Sequence, residues 1–107
     1  MICYIAGPIT GEPGYRLKFA AVAYAIHKKK PDAAVLNPAS LPAGMDRSDY
    51  MAICLSMLMR ADVVFLLPGW QTSGGAQIEK TLAEYLRIRV IKIGKDLLQK
   101  FMEDLKT

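Results

Sequence analysis

The run Asp62–Leu67, DVVFLL, is almost unbroken in its apolar character, and Pro68-Gly69 and Ser73-Gly74-Gly75 follow it before a helical pattern begins. A strand apolar on both faces must be covered on both, which points to a parallel sheet with helices on either side. The order strand, Gly-rich loop, helix start is the one that presents ligands at the carboxyl edge of such a sheet. The single stretch 61–79 therefore predicts a fold class, α/β, and a site near residues 68 to 79.

The remainder of the chain repeats the same alternation. Met1–Ala6 is a short apolar run that breaks at Gly7 and Pro8, and the glycines of the loop GPITGEPG let backbone N–H groups approach a ligand, with Gly7, Pro8 and Ile9 as candidate contacts, although the loop lacks the Lys-Ser/Thr ending of a P-loop. Tyr15–Lys30 carries Leu17, Ala20, Ala21, Tyr24 and Ala25 at helical spacing and stops at three lysines and Pro31. Ala34–Asn37 reads as a second strand, with Asn37 either facing a ligand or forming a turn before Pro38. A loop over 38–49, capped by Asp46 or Ser48, leads to a methionine-rich helix over Asp49–Arg60. Strand three is Asp62–Leu67, helix three Gly75–Arg87, strand four Arg89–Ile93, and a last helix spans Lys95–Lys106 with Leu97, Leu98, Phe101 and Leu105 as its face. The order βαβαβαβα implies one domain over 1–107, a four-stranded parallel sheet flanked by helices in a Rossmann- or flavodoxin-like three-layer sandwich. The helix bearing Met51, Ile53, Met57, Leu58 and Met59 has more apolar surface than one sheet face covers, which leads us to expect a homodimer or larger assembly unless those residues are plain core.

Composition narrows the function classes. No apolar run approaches the roughly 18 residues of a spanning helix, and the N-terminal run has no basic start, so the expectation is a soluble, cytoplasmic protein that does not meet a membrane. Cys3 and Cys54 lack CxxC spacing and His27 is the only histidine, which leaves no metal-ligand set and implies neither a metal nor another cofactor. The net charge of +4 comes with no aromatic-interleaved basic tract, and a nucleic acid polymer is not an expected partner.

Glu79 is the residue out of place. Helical spacing puts it within a face formed by Ala76, Ile78, Leu82, Ala83, Tyr85 and Leu86, while Lys80, Glu84 and Arg87 make the solvent stripe. A carboxylate turned toward a core is paired, hydrogen-bonded, functional or protonated, because an isolated buried charge costs several kcal/mol. The bland alternative is a first-turn acid complementing its own helix dipole.

Several segments, in order along nearly the whole chain, resemble the nucleoside 2-deoxyribosyltransferase superfamily, most closely its small, phage-associated, uncharacterised branch. They are Tyr4-Ile-Ala-Gly-Pro-Ile-Thr-Gly11, Asn37-Pro38-Ala39, Tyr50-Met51, and Ala61-Asp62 through Leu67-Pro68-Gly69-Trp70 to Ser73, Gly75, Ala76 and Glu79. The resemblance implies that Glu79 is a nucleophile toward the anomeric carbon of a nucleoside or nucleotide and that Tyr4 orients it. It also implies that Ser73, where nucleoside 5′-monophosphate N-glycosidases have a phosphate-binding serine, holds phosphate together with nearby amides such as that of Gly75. Gly69 and Trp70 fall beside the expected pocket, with Trp70 either stacking on the base or anchoring the end of strand three. Two departures stand out. Cys54 occupies the place where the family's enzymes have an aspartate assisting the leaving base, and Pro8 and Thr10 replace the serine and arginine of the glycosidases' N-terminal loop. The sequence thus supports an enzyme acting on a nucleotide's glycosidic bond, a noncatalytic nucleotide-binding module, or a structural, self-associating protein.

Overall fold

A computed structural model describes all 107 residues. Four strands, β1 (Ile2–Ala6), β2 (Ala34–Leu36), β3 (Val63–Leu66) and β4 (Arg89–Lys92), alternate with four helices, α1 (Tyr15–Lys29), α2 (Arg47–Leu58), α3 (Gly74–Tyr85) and α4 (Lys95–Lys106). The sheet is parallel throughout, in the order β2-β1-β3-β4.

Strand alternation divides the core into two. Cys3 and Ile5 of β1 and Val63 of β3 point to one side, where they pack with Phe19, Val22 and Ile26 of α1 and Leu98 of α4. Tyr4, Ala6, Val64 and Leu66 point to the other, against Cys54 and Leu58 of α2 and Ala83 of α3. The result is the three-layer α/β sandwich, α1 and α4 over one face and α2 and α3 over the other. Right-handed crossovers put α1 on one face and α2 and α3 on the other, since β1 to β2 runs one way across the sheet while β2 to β3 and β3 to β4 run the other; α4 follows the last strand and packs beside α1.

Several elements differ in detail from those the sequence predicts. Helix α2 begins at Arg47, with Asp46 at its N-cap position, and β2 stops at Leu36 because Asn37 turns its side chain back to accept from the N–H of Ala39. The buried face of α1 is Phe19, Ala21, Val22 and Ile26, whereas Leu17 and Tyr24 are exposed. On α3 only Ala76, Glu79 and Ala83 are buried; Ile78 is 50% and Tyr85 83% exposed, because no helix flanks α3 beyond β4. Of the apolar α2 residues, Leu58 is fully buried and Met57 packs on the core, while Ile53 and, just past the helix end, Met59 are exposed. No helix is long and apolar enough to cross a membrane.

Helix α3 ends in a Schellman motif, with the N–H of Ile88 bonded to the carbonyl of Ala83 and that of Arg87 to Glu84. Arg87 therefore sits at φ 59, the only non-glycine residue in the left-handed region. A side chain there is disfavoured by about 1–2 kcal/mol relative to glycine, part of which is returned by glycine's freedom in the unfolded chain. We expect Arg87→Gly to stabilise the fold by about 0.5–1 kcal/mol. A urea-unfolding midpoint unchanged or lowered in that variant would contradict the expectation.

Candidate active site

The neighbouring strands β1 and β3 send their following loops to opposite faces of the sheet, to α1 and to α3. Chain leaving the sheet in two directions opens a crevice at the carboxyl ends of these strands. Gly7 sets its width: a Cβ there would stand 2.8 Å from Cβ of Leu67, too close for any side chain, and the Leu67 N–H still reaches the carbonyl of Ala6 at 2.8 Å. The crevice deepens into a cavity of about 570 Å³ between the loop after β1, the start of α2 and the first turns of α3.

Glu79 forms the floor of that cavity and is the one charged residue in the core, 6% exposed. Ala76 and Ala83, one turn to either side, are small enough to seat α3 close against the sheet, which lets Glu79 reach β1. There the fully buried hydroxyl of Tyr4 donates to Glu79 Oε2. The second carboxyl oxygen has no hydrogen-bond partner in the protein, and no polar side-chain atom is both sealed from solvent and unpaired. Oε1 consequently opens on the cavity. Burial raises the Glu79 carboxyl to about 7, and the hydrogen bond from Tyr4 works against that rise.

The third member of the cluster comes from α2. The thiol of Cys54 lines the cavity close to Tyr4 and Glu79. Burial raises its pKa, as does the nearby Glu79 charge, while the Tyr4 contact lowers it. Tyr4 itself is pushed far above the ordinary phenol range, first by burial and then by Glu79, so it serves as a hydrogen-bond donor and not as an acid. The arrangement offers one carboxylate of near-neutral pKa, held in place from behind and presented to a cavity from the front. No group of three or more His, Cys, Asp or Glu side chains is disposed to hold a metal ion.

The residues singled out in the sequence separate into two sets. Gly7, Ile9, Ser73, Gly75 and Glu79 line the cavity, with Tyr4 directly behind Glu79. Ser73 is the N-cap of α3, its Oγ accepting from the Ala76 N–H at 3.3 Å. Pro8, Asn37, Gly69 and Trp70 are not part of the lining. Pro8 is buried and its Cγ lies 3.3 Å from the Cβ position of Gly69, which turns the chain at φ 89, and Asn37 caps a short 3₁₀ helix at 38–40. Trp70 packs on the α2/α3 side of the core, with the ammonium groups of Lys80 and Lys92 5.0 and 5.3 Å from its ring centroid.

Two cavity residues gave no signal in the sequence. Arg16, at the start of α1, donates from Nη1 to the carbonyl of Ala39 at 2.7 Å, and Arg47, the first residue of α2, lies against Gly74. Tyr50 pins the loop between them, its hydroxyl donating to the carbonyl of Pro42 at 2.7 Å.

Comparison with known families gives one match. The model of a domain of unknown function, DUF4406, covers residues 1–92. The chain belongs to this family. No curated protein and no solved structure matches it. The matched span of this DUF4406 protein holds Tyr4, Cys54, Glu79 and both cavity arginines, and ends with the last residue of β4, so that α4 lies beyond it.

Proposed function

We propose that this DUF4406 protein cleaves the glycosidic bond of a nucleoside 5′-monophosphate, with Glu79 as nucleophile, Tyr4 as the group that orients it, and Ser73 with the first amides of α3 near the phosphate. The observation carrying this reading is the Glu79 carboxylate, tied to Tyr4 through one oxygen and open to the cavity through the other. In the first step Oε1 bonds to the anomeric carbon as the carbon–nitrogen bond breaks, and the base leaves with the bonding pair and takes up a proton. An anion beside the anomeric carbon stabilises the oxocarbenium-like charge of that step. Water then displaces Glu79, giving its hydroxyl to the sugar and its proton to solvent; a second base in place of water makes the same enzyme a transferase.

Incubation with deoxynucleoside monophosphates, followed by chromatography, should yield free base, at a rate that climbs from pH 5 to about 7 and levels off above it, because only the ionised Glu79 attacks. Absence of free base at every pH would remove the reaction. One observation favours a second reading, a nucleotide-binding module without turnover: the cavity has no carboxyl other than Glu79 to protonate a leaving base, and Cys54, with its raised pKa, is a poor acid.

A further inference from the structure

The charges around the cavity do not balance. Arg16 and Arg47 both line it, and neither belongs to an ion pair; the two in the protein are Lys18–Glu12 and Lys80–Glu84. Glu79 is the only acid in the lining, and it sits at the floor, turned toward Tyr4, while both arginines are exposed at the rim. Two guanidinium groups facing one cavity without a carboxylate between them repel each other and attract an anion. Arg16 spends one of its five N–H donors on Ala39 and lies over the Tyr15 ring, and the Arg47 side chain makes no hydrogen bond within the protein, which leaves planar guanidinium donors suited to paired oxygen acceptors.

We infer that Arg47, with Arg16 across the rim, recognises the phosphate dianion of the ligand and sets a preference for nucleotide over nucleoside. This rests on the nucleotide reading given above. A ligand with its anomeric carbon at Glu79 lies on the cavity floor and extends its 5′ end toward the rim, where the guanidinium groups are. Arg47 is the determining residue of the pair, since its fork is entirely free while that of Arg16 also holds the 38–40 turn in place.

Isothermal titration of the whole protein with 2′-deoxyadenosine 5′-monophosphate and with 2′-deoxyadenosine tests this. Wild type should bind the nucleotide at least about tenfold more tightly, and Arg47→Ala should weaken nucleotide binding by about ten- to a hundredfold, the loss typical of a hydrogen bond to a charged group, while nucleoside affinity stays unchanged. Arg47→Lys, which keeps the charge but not the fork, should fall between them. Arg47→Gln replaces Arg47→Ala if circular dichroism shows the alanine variant unfolded. The assignment is overturned if wild type shows no preference, if it binds neither ligand, or if the Arg47 variants keep the wild-type preference. An Arg47-dependent preference without any base release would uphold the assignment and sink the glycosidase reading, so the two fail separately.

Discussion

Glu79→Gln is expected to lower base release by on the order of 10³-fold or more, as removal of a nucleophile does, and at the same time to make the protein more stable at neutral pH. The second half follows from burial. In the unfolded chain the Glu79 carboxyl titrates near its reference value of 4.5, and in the folded protein near 7. A raised pKa means that the folded state holds its proton more tightly, so this group's stabilising contribution is complete below about pH 4.5 and is lost as pH rises through about 7. The span corresponds to about 3 kcal/mol as an upper figure. Glutamine has no such titration, and its carbonyl oxygen still accepts from Tyr4. Denaturant unfolding should therefore find variant and wild type nearly equal at pH 5, and the variant ahead by about 2–3 kcal/mol at pH 8. A stability difference that does not change between those pH values would show that Glu79 is not the buried titrating acid. Base release undiminished in the variant would remove it from the reaction.

Cys54→Asp should act in the opposite direction and raise nucleotide hydrolysis by at least about tenfold, since a positioned general acid contributes about 10²- to 10⁴-fold and the substitution disturbs a buried site. The position is favourable: Cys54 lines the cavity beside Tyr4 and Glu79. Two carboxyl groups there share one proton, and their pKa values separate, as they do for coupled acids. The productive form has Glu79 ionised and the new aspartic acid protonated, so the variant's pH profile should be a bell where that of wild type is a rise to a plateau. The gain should be greatest at mildly acidic pH. Base release measured from pH 5 to 8 decides the matter; a folded, nucleotide-binding variant no faster than wild type anywhere in that range would mean that the cavity serves binding alone.

The sheet was legible because each strand is a short apolar run closed by Gly, Pro or a polar turn, and such runs admit few alternatives. Glu79 was legible for a related reason, as a charge at an apolar position. Helix faces were harder to read. Tyr15–Lys29 is apolar almost all round, with alanines on every side, so periodicity did not choose among the faces; the bulk of Phe19, Val22 and Ile26 did, by filling the space over Cys3 and Ile5. Tyr85 reads as core on spacing and lies in solvent, because α3 is the last element on its side of the sheet. The arginines were illegible on principle. Arg16 and Arg47 lie 31 positions apart, and only the return of α1 and α2 to the same edge of the sheet makes them neighbours of one cavity.

The family match ends at Lys92, yet α4 contributes Leu98, Phe101 and Met102 to the layer that covers Cys3, Ile5, Val63 and Ile93. Without it, α1 alone would roof the β3 and β4 half of that face, and a bare strip of parallel sheet adheres to whatever apolar surface it meets. Glu79 and Cys54 lie on the far face, on α3 and α2, so α4 touches the cavity only through α1, whose first turn carries Arg16.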